Sequence, residues 1–274
     1  MISIIIPSRS SVALEAITNN ISATIGVPFE IIDYDNSKDG YGICKIYNLC
    51  AVKAKYDYLV FCHDDIVFHT QDWGQLFVNH LKQEFVGLVG ITGATFKSKY
   101  PAPWVSIPKN YYRSNLYSSK ENIRVKKESN SDEVAVVDGC FLGMRKGVWE
   151  QFNFNEDTLK GFHIYDIDIS IRILRKYKVI VLNDILIEHK SDGVFNYNWY
   201  EESEKYHKHN QNLLPAQVES VKNVETLNGF ALKSLVMRSK GLKLSFQKKA
   251  NLLFLLLTNH PKMFTPKMLR IFFN

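Results

Sequence analysis

Cysteine is scarce and poorly spaced for chemistry. The 274-residue chain has four, Cys44, Cys50, Cys62 and Cys140, with no CxxC pair among them. That argues against a disulfide framework or a zinc knuckle. Three of the four lie inside apolar segments, which predicts reduced, buried thiols in a cytoplasmic protein. Long apolar runs are also missing. Leu252 to Leu257 is the tail's apolar stretch, far below the roughly 18 residues that span a bilayer. The leading "ISIIIP" is short, has no basic segment before it and ends at Pro7, so it reads as a strand rather than a signal peptide.

Several catalytic signatures are absent as well. There is no Walker A sequence and no GxGxxG, which disfavours a P-loop NTPase or a standard dinucleotide enzyme. The G-x-S-x-G elbow of a Ser-His-Asp hydrolase is not found either. No internal repeat occurs. What remains is a globular composition, 46% hydrophobic and 23% charged, with enough length for one large core or two modest ones. The net charge of +6 is uneven: residues 222–274 carry ten Lys/Arg and one acidic residue, against 24 basic and 27 acidic in the remainder. The basic character belongs to the tail.

Along the chain, "ISIIIP" is a continuous apolar run, as expected for a strand buried on both faces. Val12, Ala16, Ile17 and Ile21 have helical spacing, and Gly26-Val27-Pro28 stops it. "FEIIDYDNSKDG" is a strand running into an Asp/Asn/Ser/Gly turn. "YGICKIYNLCAVKAK" suits an amphipathic helix, and "YDYLVFC" is a third strand. A β-α-β-α-β order with short connections implies parallel strands, and ligands of such sheets gather at the carboxyl ends of the strands. Three polar groups fall at those ends: Pro7-Ser8-Arg9, Asp33 to Asn36, and His63-Asp64-Asp65.

Further on, residues 72–85 predict a helix and "VGLVGIT" a strand. Residues 93–132 show no period, so they predict a long lid or acceptor loop. "EVAVVDGCFLGMRK" resumes strand character, with Asp138-Gly139 permitting close backbone approach. "FHIYDIDISIRILRKY" is a helix with Asp166 and Asp168 in its first turn, where the helix dipole alone would favour acids. A strand pair then ends at His189, and a polar helix spans about 199–213. Its His207 and His209 read as solvated.

Two adjacent carboxylates at a strand end repel and need compensation. An N-cap or turn role would satisfy them. So would a divalent cation: Asp64 and Asp65 offer hard oxygens and His63 and His189 imidazoles, a mixture suited to Mn2+ or Mg2+ that also binds phosphate oxygens.

"ISIIIPSRS", the Asp-rich turn, "AKYDYLVFCHDDIVF", "VDGCFLGMRK", "IYDIDISIRILRKY" and "IEHKSDG" occur in the order of a GT-A-fold glycosyltransferase of the family 2 type, and the chain resembles most the branch grouped with a streptomycin-biosynthesis protein domain. The resemblance covers about residues 1–195. It implies an α/β GT-A domain, Rossmann-like with a mostly parallel sheet, over residues 1–215, followed by a basic helical region over 216–274. It further implies a metal-dependent, inverting transfer from a UDP-, GDP- or dTDP-sugar to a glycan or lipid-linked acceptor. Pro7, Ser8, Arg9, Asp33, Asp35 and Asp64 would hold the donor nucleotide. Asp65, His63 and His189 would hold the metal, with Asp65 the main ligand. Asp166 would be the catalytic base, with Asp138, Gly139 and Tyr165 near the sugar and acceptor. Two positions depart from the family: His63 stands where an acid is usual, and Tyr165 replaces the acid before Asp166. By helical spacing Asp168 points elsewhere and is placed to pair with Arg172.

Two alternatives stand beside this reading. A sugar-nucleotide nucleotidyltransferase shares the sheet and metal logic but needs a Gly-rich, basic loop where this chain has "PSRSS". A non-catalytic sugar- or partner-binding GT-A protein is motivated by the two departures. For the tail, either its helices pack on the domain with solvated lysines, or a basic amphipathic segment meets an anionic membrane at the inner face. Nucleic acid is not an expected partner, since no recognition motif is present.

Overall fold

The computed structural model describes residues 1–37, 39–117, 129–191 and 193–273. In chain order its strands and α-helices are β1 (Ile2–Ser8), α1 (Ser11–Thr24), β2 (Phe29–Asp35), α2 (Ile43–Lys53), β3 (Tyr58–Cys62), β4 (Ile66–Phe68), α3 (Trp73–Leu81), β5 (Val86–Gly90), β6 (Thr92–Ala94), β7 (Phe96–Lys97), β8 (Tyr112–Ser114), β9 (Leu116–Tyr117), β10 (Ser131–Val134), β11 (Val136–Val137), β12 (Phe141–Arg145), α4 (Lys146–Gln151), α5 (Tyr165–Leu174), β13 (Lys178–Leu182), β14 (Ile187–His189), α6 (Tyr197–His209), β15 (Ala216–Gln217), α7 (Val224–Arg238) and α8 (Phe246–Asn259). They form two compact units: residues 1–93 with 113–192, and residues 94–112 with 193–274. Residues 94–112 and 193–215, grouped with the first domain by the sequence reading, fall in the second unit.

The first unit is built on a seven-stranded sheet in the order β10-β13-β5-β12-β3-β1-β2. β1 pairs in parallel with β2 and β3, and β13 in parallel with β5, while β12 runs antiparallel between β3 and β5 and β10 antiparallel to β13. Five of the seven strands therefore point one way. Covered on both faces, β1, β3 and β5 are predominantly apolar, and Ile4, Val60 and Val89 have no accessible surface. The Trp73 and Phe68 rings stack at 4.1 Å in the same core.

Reversal of β12 decides where the site lies. An antiparallel strand brings its amino end to the edge where β1 and β3 finish, so Phe141 pairs with Cys62 and the His63 N–H donates to the Cys140 carbonyl at 3.1 Å. A smaller sheet adds the last strand: β14 pairs antiparallel with β4, setting His189 opposite Ile66. Lys190 N–H then donates to the Asp65 carbonyl at 3.1 Å.

Residues 93–117, expected as open loop, are folded instead. Each strand there is only two or three residues long, too short to leave a period in the sequence. Much of that segment is held by side chains: in the second unit Lys97 is 2% exposed, and its ammonium donates to the carbonyls of Ala102 at 3.0 Å and Tyr100 at 3.3 Å and to His207 Nε2 at 2.7 Å. Residues 118–128 of the expected loop lie outside the described residues. His207 is thus buried rather than solvated, donating through Nδ1 to the Ser203 carbonyl at 2.7 Å. His209 is exposed. All four cysteines are buried free thiols. No helix among the described residues is long and apolar enough to cross a membrane.

Candidate functional site

Three ligand-type atoms meet at the end of β3. His63 Nδ1 lies 3.5 Å from His189 Nε2 and 3.9 Å from Asp65 Oδ1, and His189 Nε2 lies 3.2 Å from Asp65 Oδ1. Among the described residues this is the one group of three or more such side chains able to share an ion. A triangle with those edges has a circumscribed radius of about 2.1 Å, the length of a bond from nitrogen or oxygen to a first-row divalent cation. The residues present therefore fit a metal ion. Burial pulls the Asp65 carboxyl upward, but hydrogen bonds from His189 and Ser191 and the nearby imidazoles overrule it and hold the group well below the usual carboxylate range. Burial pushes the His63 imidazole down, against the pull of Asp138. Both effects favour the forms that bind metals.

Adjacent carboxylates diverge here. While Asp65 faces the histidines, Asp64 turns to β1, where Ser8 Oγ donates to its Oδ2 at 2.5 Å. Ser10, the N-cap of α1, donates its N–H to Ser8 Oγ at 3.0 Å. The end of β1 is thus tied to the end of β3. Pro7 and Ser8 pair in register with Tyr34 and Asp35. Asp33 and Asp35 are exposed at the end of β2, and Asp35 Oδ1 accepts from the Ser37 N–H at 2.9 Å. Arg9 is exposed, its guanidinium 5.6 Å from the centre of the Phe162 ring.

The head of α5 supplies the second half of the site. Ile164, its N-cap, has φ +68°, a costly left-handed conformation for a β-branched residue. That turn aims Tyr165 and Asp166 at Gly139. Tyr165 Oη lies 3.2 Å from the Gly139 carbonyl and 3.0 Å from His63 Nε2. Asp166 Oδ2 accepts from the Gly139 N–H at 3.2 Å and Oδ1 from the Ile167 N–H at 2.8 Å. Burial, then the neighbouring Asp138 carboxylate, raises the Asp166 carboxyl to about 7 against these donors. Such a group titrates where a general base is most effective. Asp138 Oδ1 accepts from the Cys140 N–H at 3.0 Å, fixing the turn before β12.

The two family departures, His63 and Tyr165, therefore touch each other, and Gly139 connects both to Asp166. Asp33 and Asp35 stand at the end of β2 and Arg9 just past the end of β1, at the same sheet edge. Sequence reasoning missed Ser191, whose Oγ lies 3.3 Å from His189 Nε2, and Phe162 beneath Arg9. Proximity to His189 in "EHKS" was the only signal for the first, and nothing local marked the second. Asp168 is buried and pairs with Arg172 at 2.8 Å, as its spacing predicts.

A family model described as glycosyltransferase-like matches residues 4–230. The chain belongs to the glycosyltransferase-like family. Its fold is that of GT-A glycosyltransferases. The chain is similar to a crystal structure of GalNAc-T7 with UDP, GalNAc and Mn2+, with a TM-score of 0.54 and 9% identity over 96% of this chain and 56% of the other. It is likewise similar to S. aureus TarS, with a TM-score of 0.53 and 11% identity over 97% of this chain and 50% of the other. The chain thus spans about half the length of both, and at such identities the likeness concerns the fold alone. No curated protein matches its sequence.

Proposed function

We propose that this protein is a metal-dependent, inverting glycosyltransferase, moving a sugar from a UDP-, GDP- or dTDP-linked donor to a hydroxyl of a glycan or lipid-linked acceptor. One observation carries the reading: an Asp166 carboxyl titrating near 7 and the His63, Asp65 and His189 triangle are joined through Gly139 and Tyr165 at one sheet edge. His63, Asp65 and His189 would hold Mn2+ or Mg2+, which when bound neutralises charge on the diphosphate oxygens. Ser8 and Asp64, with Pro7, Arg9, Asp33 and Asp35, would bind the nucleotide. Asp166 takes the proton of the acceptor hydroxyl as it attacks the anomeric carbon from the face opposite the leaving group, which inverts the configuration. The Gly139 and Ile167 N–H groups hold the carboxylate in place for that transfer. The catalytic part would run over residues 1–215, with 216–274 as an accessory region.

Nucleoside diphosphate release from a panel of UDP-, GDP- and dTDP-sugars, with and without Mn2+, tests this. Metal-dependent release, abolished in Asp65→Ala and Asp166→Asn, is the expected result. Pyrophosphate formation from a nucleoside triphosphate and a sugar phosphate, or binding without release across a broad acceptor panel, would overturn it.

An anionic membrane surface is the partner proposed for the accessory region, placing the protein in the cytoplasm at the inner face. On α8, Leu252, Leu253 and Leu256 are buried, whereas Phe246, Phe254 and Leu257 are exposed, the first two by 70% and 66%. At 100° per residue these three lie on one side of the helix. Leu269 and Phe273 are exposed nearby in sequence, with Lys262, Lys267 and Arg270 between or beside them. Apolar insertion flanked by cations matches an anionic lipid surface. Sedimentation with phosphatidylglycerol vesicles at low salt should capture the intact chain, and Phe254→Ser with Leu257→Ser should release it. Equal capture by neutral vesicles, or none at low salt, would remove the proposal.

A further inference from the structure

A hydrogen-bond chain runs into the metal triangle from behind. Gly139 offers a carbonyl, which can only accept, and Tyr165 Oη donates to it at 3.2 Å. With its single proton so used, the phenol oxygen faces His63 Nε2 at 3.0 Å as an acceptor. His63 Nε2 must then carry the hydrogen, and the lone pair of the ring belongs to Nδ1. Nδ1 is the atom that faces His189 Nε2 and Asp65 Oδ1.

Burial makes this chain specific. Tyr165 is buried, and its ring packs against Tyr47 at 5.8 Å and Phe154 at 6.3 Å. A Cβ on Gly139 would lie 2.1 Å from Tyr165 Oη. Only glycine at position 139 lets the phenol reach both its carbonyl and His63.

We propose that Tyr165 is a positioning residue which locks His63 in its Nε2–H tautomer, so that His63 Nδ1, His189 Nε2 and one Asp65 oxygen form a two-nitrogen, one-oxygen face that takes Mn2+ or Co2+ in preference to Mg2+. The selectivity follows from donor chemistry. Mg2+ demands oxygen ligands and keeps its waters, whereas affinity for sites that include imidazole nitrogen rises along the first-row ions from Mn2+ to Co2+ and beyond. Outer partners that fix the tautomer of a ligating histidine typically change metal affinity 10- to 100-fold.

The inference rests on the metal reading above, and its test uses no sugar nucleotide. Nitrogen-15 correlation spectra of the histidine side chains in the metal-free full chain should show His63 as the Nε2–H tautomer. Calorimetric titration with MnCl2, CoCl2 or MgCl2 alone should give Mn2+ and Co2+ at least about tenfold tighter than Mg2+. In Tyr165→Phe, which keeps the packed ring, the tautomer preference should be lost and Mn2+ affinity should fall by about 10- to 100-fold, while affinity for Mg2+ changes less. An Nδ1–H tautomer in the parent protein, or equal affinity for Mn2+ and Mg2+, would overturn the proposal. So would a Mn2+ affinity untouched by Tyr165→Phe, whether or not His63→Ala lowers it, which would still leave the transferase reading standing. Tight Mn2+ binding without nucleoside diphosphate release would instead damage the transferase reading and leave this one intact.

Discussion

The main-chain N–H of Gly139 donates to Oδ2 of Asp166 at 3.2 Å, joining the turn before β12 to the first turn of α5. The same glycine's carbonyl faces Tyr165 Oη. One residue therefore positions both the candidate base and the group behind His63. Gly139→Ala should displace Tyr165, because the added Cβ would sit 2.1 Å from its hydroxyl. A loss of activity of at least about 100-fold is expected, as for a misplacement of about an ångström near reacting groups. Steady-state rates compared with the thermal midpoint check it; unchanged rates would refute the positioning role.

Asp166 sets the acid limb of the pH profile. With its carboxyl at about 7, kcat/KM should fall tenfold per pH unit below that value, since only the carboxylate accepts a proton. A profile flat down to pH 5 would eliminate Asp166 as the base.

Stability should show the same titration with opposite sense. The folded value lies above the ordinary 3.8, so folding favours the protonated acid. That contribution is full below about pH 4 and is lost as the pH rises through about 7. Asp166→Asn does not titrate, so its melting temperature relative to the parent should climb between about pH 4 and pH 7 and level off above. Calorimetry of the metal-free proteins measures the difference, and a pH-independent gap would contradict the raised value.

Arg172 faces a carboxylate that is almost wholly buried: Asp168 is 2% exposed, with Nε to Oδ2 at 2.8 Å. Arg172→Ala removes that cation and should cost about 3 kcal/mol in urea unfolding. A loss below about 0.5 kcal/mol would mean that the pair behaves as a surface bridge.

Lys97 offers a parallel test in the second unit. Lys97→Met leaves the Ala102 and Tyr100 carbonyls and His207 Nε2 without their buried donor, and about 3 kcal/mol or more should be lost. Charge on Lys97 also adds to burial in holding His207 neutral, so the His207 titration, followed by NMR, should move upward in the variant.

Apolar runs and their punctuation in the sequence determine β1, β2, β3, β5 and the helices between them, because strands buried on both faces and amphipathic helices leave periodic traces. The polar breaks after Ile6, Ile32 and Cys62 mark which sheet edge carries chemistry, and the i,i+4 pairing of Asp168 with Arg172 is purely local. Tertiary structure decides the rest. Reversal of β12 brings Gly139 to that edge, and the β14 to β4 pairing carries His189 to His63, 126 residues away in the chain, and to Asp65; neither long-range pairing has a local signature. The burial of Lys97 and His207 was illegible for the same reason: their partners are carbonyls and each other, 110 residues apart. Above all, His63 and Tyr165 look in sequence like two separate losses of an acid. Folding makes them one hydrogen-bonded pair, because the antiparallel β12 and the left-handed turn at Ile164 bring residues 102 positions apart to 3.0 Å.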